Sequence, residues 1–192
     1  RNSKVKESEW NNMLTGKGTV TILPNSKEIV EINAGELMTG FLRLSVIGGM
    51  GTKIKILQSE AYILPEETDD PKSSIAKKGD RLDYKNGYLQ GYTDTYEVAG
   101  IGQSDETEIY EPFWFRTFRF IQLEIVTAEE PFIIESFDYQ VTGYPLEVKT
   151  WVKTSDESLQ AIWDISERSL RRCMHETYED CPFYEQLQYA MD

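Results

Sequence analysis

Four side chains near the end of the sequence carry its strongest chemical signal. In "ETYEDCPFYEQLQYAMD" (176–192), Asp180 precedes Pro182, and Glu185, Tyr189 and Asp192 follow at intervals of four and three. On a helix the last three share one face, because positions i, i+4 and i+7 project in the same direction. Asp180 stands where an N-cap belongs, and Pro182 suits a first helical turn. Carboxyls that crowd together resist ionising together, so one of them holds its proton to higher pH. Glu185, set among Asp180, Asp192, Phe183 and Tyr184, is the expected candidate for that shift. A protonated carboxyl, a carboxylate and a ring on one wall suit a saccharide pocket, where an acid donates to a leaving oxygen. Spacing alone also fits a plainer arrangement, with Asp180 as a cap, Glu185 and Asp192 solvated, and Tyr189 packed in a core.

Such a wall needs elements to position it, and composition limits what these are. The chain has 192 residues, long enough for one sizeable domain or one domain and part of another. Its 33 acidic and 20 basic residues give a net charge of −13, which repels phosphate backbones and excludes nucleic acid as an expected partner. No run of 18 apolar residues exists, so no membrane-spanning helix is expected. The opening "RNSKVKESEW" has neither the apolar core nor the cleavage site of a signal peptide. Cys173 and Cys181 read as free thiols rather than a disulfide, and one histidine, His175, leaves a Cys/His zinc site short of ligands. His175 itself reads as a structural residue near a helix C-terminus, and Glu176 and Glu179 as surface charges. There is no GxSxG elbow for a nucleophilic hydrolase, and no GxxxxGK[ST] or strand-bound GxGxxG for a nucleotide.

Residues 17–153 read as roughly nine short strands separated by turns. "GTVTILP" (18–24) and "EIVEINAG" (28–35) alternate apolar and polar positions. "GFLRLSVIGGMG" (40–51) and "TKIKILQSEAYI" (52–63) read as the two arms of a hairpin, with Gly48, Gly49 and Gly51 supplying positive φ at its turn. Residues 65–91 read as a long polar loop with a tight turn at "KNGY". Strand patterns return in "TDTYEVAG", "ETEIYEPFWF", "RTFRFIQLEIV" and "PFIIESFDYQVTGY". In "YEPFWFRTFRF", a sugar-binding aromatic stripe is one reading. Alternation of Phe113, Phe115, Phe118 and Phe120 on core faces is the favoured one. The predicted fold is mainly β, an antiparallel β-sandwich. At residue 154 the period changes to that of a helix of about five turns, capped near Ser155 or Asp156, with a second helix over 182–192. Two short helices after a complete sandwich cannot bury themselves well, so the chain is expected to be a fragment of something larger.

The closing stretch "MHETYEDCPFYEQLQYAMD" (174–192) closely resembles the signature near the start of the catalytic domain in α-L-rhamnosidases of glycoside hydrolase family 78. That pattern runs Asp-Cys-Pro, then a glutamate, an aromatic residue, and an aspartate after a small residue. Residues 30–63 and 92–125 resemble the β-sandwich that precedes the family's barrel. The chain departs from the pattern at Met191, where glycine is common, and at Phe183–Tyr184, where many members carry arginine. The resemblance implies a jelly-roll-like sandwich over residues 1–150 and, over 151–192, the first helices of a truncated (α/α)6 catalytic barrel. It further implies inverting hydrolysis of terminal α-L-rhamnosides by the full-length enzyme, with Glu185 as proton donor and Asp180, Tyr189 and Asp192 holding the sugar. The general base would be a glutamate beyond this chain. No cofactor is implied beyond the calcium that some relatives bind, and the expected partner is a rhamnose-containing glycoside. Two other classes compete: a non-catalytic carbohydrate-binding sandwich, and an interaction domain that uses the acidic loop 65–83.

Overall fold

One strand of 22 residues, β2 (Lys27–Gly48), organises the molecule, fusing two stretches that the sequence separates at Gly35. The structure, a computed structural model, describes residues 2–65 and 79–189. Helix α1 (Glu7–Leu14) comes first and buries Trp10 and Met13. The remaining strands are β1 (Val20–Ile22), β3 (Lys53–Ser59), β4 (Tyr62–Ile63), β5 (Tyr88–Leu89), β6 (Tyr92–Glu97), β7 (Glu108–Tyr110), β8 (Arg116–Val126) and β9 (Phe132–Val141), and helix α2 (Leu159–Cys173) closes the list.

Pairing is antiparallel throughout, in the order β1-β9-β2-β8-β3-β6, with β7 also on β2 and β4 paired to β5. The N-terminal part of β2 pairs β8, and from Gly40 onward it pairs β9. Gly40 faces both Arg116 and Val141, and a Cβ there would come within 2.8 Å of the Gln140 carbonyl oxygen. Only glycine tolerates so close a backbone approach. The two halves of β2 thus hold two ladders against a shared core, the packing expected of a sandwich.

That core draws Val20 and Ile22 from β1, Leu42, Leu44 and Val46 from β2, Ile54 and Ile56 from β3, and Phe118, Leu123 and Ile125 from β8. From β9 it takes Phe132, Ile134 and Phe137. Side chains alternate along a strand, so an inward set at even positions cannot pass to odd ones without an irregularity. Register shifts at Asn33/Met38 and at Ser45/Val46 coincide with such changes of parity on β8 and β9.

Several expectations need correction. The glycine turn is present, with Gly48, Gly49 and Gly51 all at positive φ, but β2 and β3 do not form a hairpin. Strand β8 lies between them, so the partner they share comes from well over 50 positions later in the chain, as in the pairs Ser59 with Phe120 and Lys27 with Val126. Of the four phenylalanines expected on core faces, Phe115, Phe118 and Phe120 are buried and Phe113 departs. Phe118 is in the core, Phe120 packs with Tyr62 and Leu89 in a separate cluster, and Phe113 is fully exposed. Of "ETEIYEPFWF", only Glu108–Tyr110 is strand. Within the expected loop, residues 66–78 lie outside the described residues, while Asp83 closes the "KNGY" turn by accepting the N–H groups of Lys85 and Asn86 at 3.1 Å.

Helix α2 begins later than the sequence indicates. Asp156 accepts the Ser158 N–H at 3.0 Å and hydroxyl at 2.7 Å in a turn that precedes it. Its C-terminal end is fastened to β2, where Arg172 donates to the Leu37 carbonyl at 2.9 Å and Arg168 pairs with Glu36 at 3.5 Å. None of its residues is buried, and Leu159, Ile162, Ile165 and Leu170 face solvent. The second helix expected from residue 182 is not formed over 182–189.

Candidate active site

Past Cys173 the chain makes two consecutive tight loops. In the first, Met174 pairs with Tyr178, and the Glu179 N–H reaches the Cys173 carbonyl at 2.8 Å. In the second, the Asp180 N–H donates to the Leu187 carbonyl at 3.2 Å and the Cys181 N–H to the Glu185 carbonyl at 3.4 Å. These bonds run forward along the chain, opposite in sense to the backward N–H to C=O bonds of a helix, which is why a helix cannot coexist with them. Burial decides the conformation: Phe183 is 1% exposed, wedged against the sandwich. A Cβ on Gly91 would lie 3.1 Å from its ring and 1.8 Å from the Gln58 carbonyl oxygen. The ring of Tyr92 lies 5.5 Å from that of Phe183, and Gln186 donates to the Thr117 hydroxyl at 2.9 Å.

The second loop brings two of the four sequence-predicted residues together. One ligand atom from each of Asp180, Cys181 and Glu185 lies within 4.8 Å of the others, and the Glu185 N–H donates to Cys181 Sγ at 3.2 Å. Asp180 and Glu185 are exposed. Tyr189 is also exposed, on no helical face shared with Glu185, and Asp192 lies outside the described residues. Two carboxyls so close leave too little room for a water between them, which an inverting acid and base need at about 6.5–9.5 Å. Asp180 is therefore suited to hold a hydroxyl, not to act as the base. As a metal site the set offers two carboxylates and a thiol, where calcium takes six to eight oxygens, so it does not fit calcium.

Among the described residues, Glu179 is a carboxyl with raised proton affinity. Expected at the surface, it is buried beside His175, with Nδ1 to Oε1 at 3.3 Å, and its Oε2 finds no hydrogen bond. Burial pushes its pKa up to about 7, and burial pushes that of His175 down. Phe115 covers the pair, its ring stacked on the imidazole at 4.1 Å and 13°. The structural reading of His175 agrees with this placement. Cys173 and Cys181 are free and half-buried.

Sequence reasoning overlooked a neighbouring cleft of about 330 Å³, lined by Gln58, Tyr92, Asp94, Trp114, Arg116 and Gln186 among others. At its floor Arg116 grips Asp94 with two bonds, Nε to Oδ2 at 2.7 Å and Nη2 to Oδ1 at 2.8 Å. Gln58 adds a third bond to Asp94 at 3.0 Å. Burial of Asp94 would raise its pKa, but the Arg116 hydrogen bonds and charge outweigh it and hold the carboxyl below its ordinary value. The signal for the cleft was "EPFWFRTF", read mainly as core. The pairing of Asp94 with Arg116 could not be seen, because it joins strands that are not consecutive.

The fold of this mainly antiparallel chain is shared, over most of its length, with segments of larger solved structures. The chain is similar in fold to a family GH78 rhamnosidase of Bacillus sp. GL1, with a TM-score of 0.60 and 23% identity, covering 88% of this chain and 15% of that one. It is likewise similar to a rhamnosidase from Klebsiella oxytoca solved with rhamnose bound, with a TM-score of 0.55 and 20% identity, covering 85% of this chain and 30% of that one. The chain thus spans less than a third of the length of either. No family model matches it, and no curated protein does.

Proposed function

We propose that this chain is the sandwich (1–150) and the entrance of the helical catalytic domain (151–192) of a longer glycosidase that hydrolyses terminal α-L-rhamnosides with inversion. In this reading Glu185 donates a proton to the departing glycosidic oxygen. Asp180, Tyr189 and Asp192 hold the sugar, with the carboxylates accepting from its hydroxyls. The base that activates water comes from elsewhere in the longer protein, since Asp180 stands too near Glu185 to serve. The remaining helical domain would cover Glu185, which is exposed in this chain, and so supply the desolvation that a general acid near neutral pH requires.

The observation that supports this best is the convergence of Asp180 and Glu185 in a loop after a sandwich whose fold follows rhamnosidases over most of the chain. The test is Glu185→Gln in the full-length protein, assayed on an aryl α-L-rhamnoside whose leaving group needs protonation. Turnover is expected to fall about 10²–10⁴-fold, the usual contribution of a general acid. Turnover close to wild type would remove Glu185 from that role.

A further inference from the structure

We infer that the cleft formed by Tyr92, Trp114, Arg116 and Gln186 is a binding site for a neutral saccharide ring, the part of a glycoside released on cleavage. The assignment to the leaving part rests on the proposed role of Glu185; the assignment to a saccharide does not.

The volume of about 330 Å³ is at the lower end for small-molecule sites and accommodates one ring. Trp114 is 61% exposed and Tyr92 56% exposed, unusual for large rings and suited to stacking on a sugar's apolar face. Trp114 is itself backed by Phe115, ring centres 5.1 Å apart, so its plane is held in place. Beneath these rings the floor is polar but electrically balanced. Asp94 neutralises Arg116, so an anion gains little there, and a second cation has only a spent carboxylate to meet. Asp94 accepts two bonds from Arg116, one from Gln58 and one from Tyr110, which fills a carboxylate's acceptor sites. Arg116 gives Nη1 to the carbonyls of Trp114 and Phe115 at 3.0 and 3.1 Å, which leaves one Nη2 hydrogen for a ligand. That donor, the Trp114 indole N–H, the Tyr92 hydroxyl and the Gln186 amide oxygen are the directional, uncharged-type contacts that hydroxyls satisfy.

Position relates the cleft to the proposed chemistry. Phe183 and Gln186 line it, and Glu185 lies between them in sequence on the same loop. A ring seated there is held by the sandwich, on the far side of the glycosidic oxygen from the sugar that Asp180 holds.

The experiment is a nuclear magnetic resonance titration of the 192-residue chain with a rhamnosyl-glucose disaccharide, glucose and sodium acetate at tens of millimolar, where millimolar affinities register. Both saccharides are expected to shift the Trp114 indole N–H and the Gln186 side-chain amide, and acetate is not. Trp114→Ala, at an exposed position, is expected to weaken the effect about tenfold, a loss commensurate with one stacked ring. Trp114→Phe should recover most of it. Absence of shifts at these two groups with either saccharide, or shifts with acetate alone, would overturn the assignment. If the saccharides bind while full-length Glu185→Gln keeps its turnover, the site stands as a saccharide site and the leaving-group role falls. If Glu185→Gln is inactive and the cleft is silent, the glycosidase reading stands and the cleft assignment falls.

Discussion

Glu179 illustrates how much a single side chain's surroundings decide. Its carboxyl holds a proton up to about pH 7 in the folded chain, whereas an unfolded glutamate ionises near pH 4.3. The folded state therefore binds the extra proton between these values, and its contribution to stability, complete below about pH 4.3, is lost as pH rises through 7. His175 acts in the opposite sense: its lowered pKa gives stability above about pH 6.5 that is lost as pH falls. Glu179→Gln removes the alkaline loss and leaves the acid one. The variant is expected to gain at least about 2–4 °C of melting temperature over wild type at pH 8 and little at pH 4, the shift roughly 1 kcal/mol makes in a chain of this size. An equal offset at both pH values would contradict the assignment. Nothing in "HETYED" disclosed this, because the burial comes from Phe115, 60 positions earlier. The nearness of Asp180 and Glu185 was legible from five residues of spacing, although a loop and not a helix produces it.

Among the elements, strands were easier to read than their partners. "RTFRFIQLEIV" coincides with β8 and "PFIIESFDYQV" spans β9, since a buried face imposes alternation that composition records. The false hairpin of β2 and β3 arises because adjacency in a sheet is settled by distant segments, and β8 displaces the local partner. The failed second helix has a similar origin. The propensity of "FYEQLQYA" is outweighed by burying Phe183, worth about 1.5–3 kcal/mol. Gly91 is the element-level control on this docking. Gly91→Ala would drive a methyl into the Gln58 carbonyl, and a destabilisation of roughly 1–3 kcal/mol is expected in denaturant melts. Faster protease cleavage between residues 180 and 189 should accompany it. A variant as stable and as resistant as wild type would mean that the loop is not held there.

At the scale of the whole molecule, the strands bury a continuous core while α2 presents Leu159, Ile162, Ile165 and Leu170 to solvent. An apolar stripe of this kind favours association, so the 192-residue chain is expected to self-associate with rising concentration in sedimentation experiments. Ile162→Glu with Ile165→Glu should abolish this without lowering the melting temperature, since neither residue is buried. Persistent association of the double variant would place the contact elsewhere. The contrast between a strand-built core and an open helix is visible in the sequence as a change of period near residue 154. The long strand β2 has a last implication. Because its two ends belong to different ladders, fraying at either end is resisted by the other, and the pair cannot separate like the halves of a shell. Melting should therefore be all-or-none across strands β1, β2, β3, β8 and β9, with the slowest amide exchange gathered around Gly40, the knot where the ladders meet.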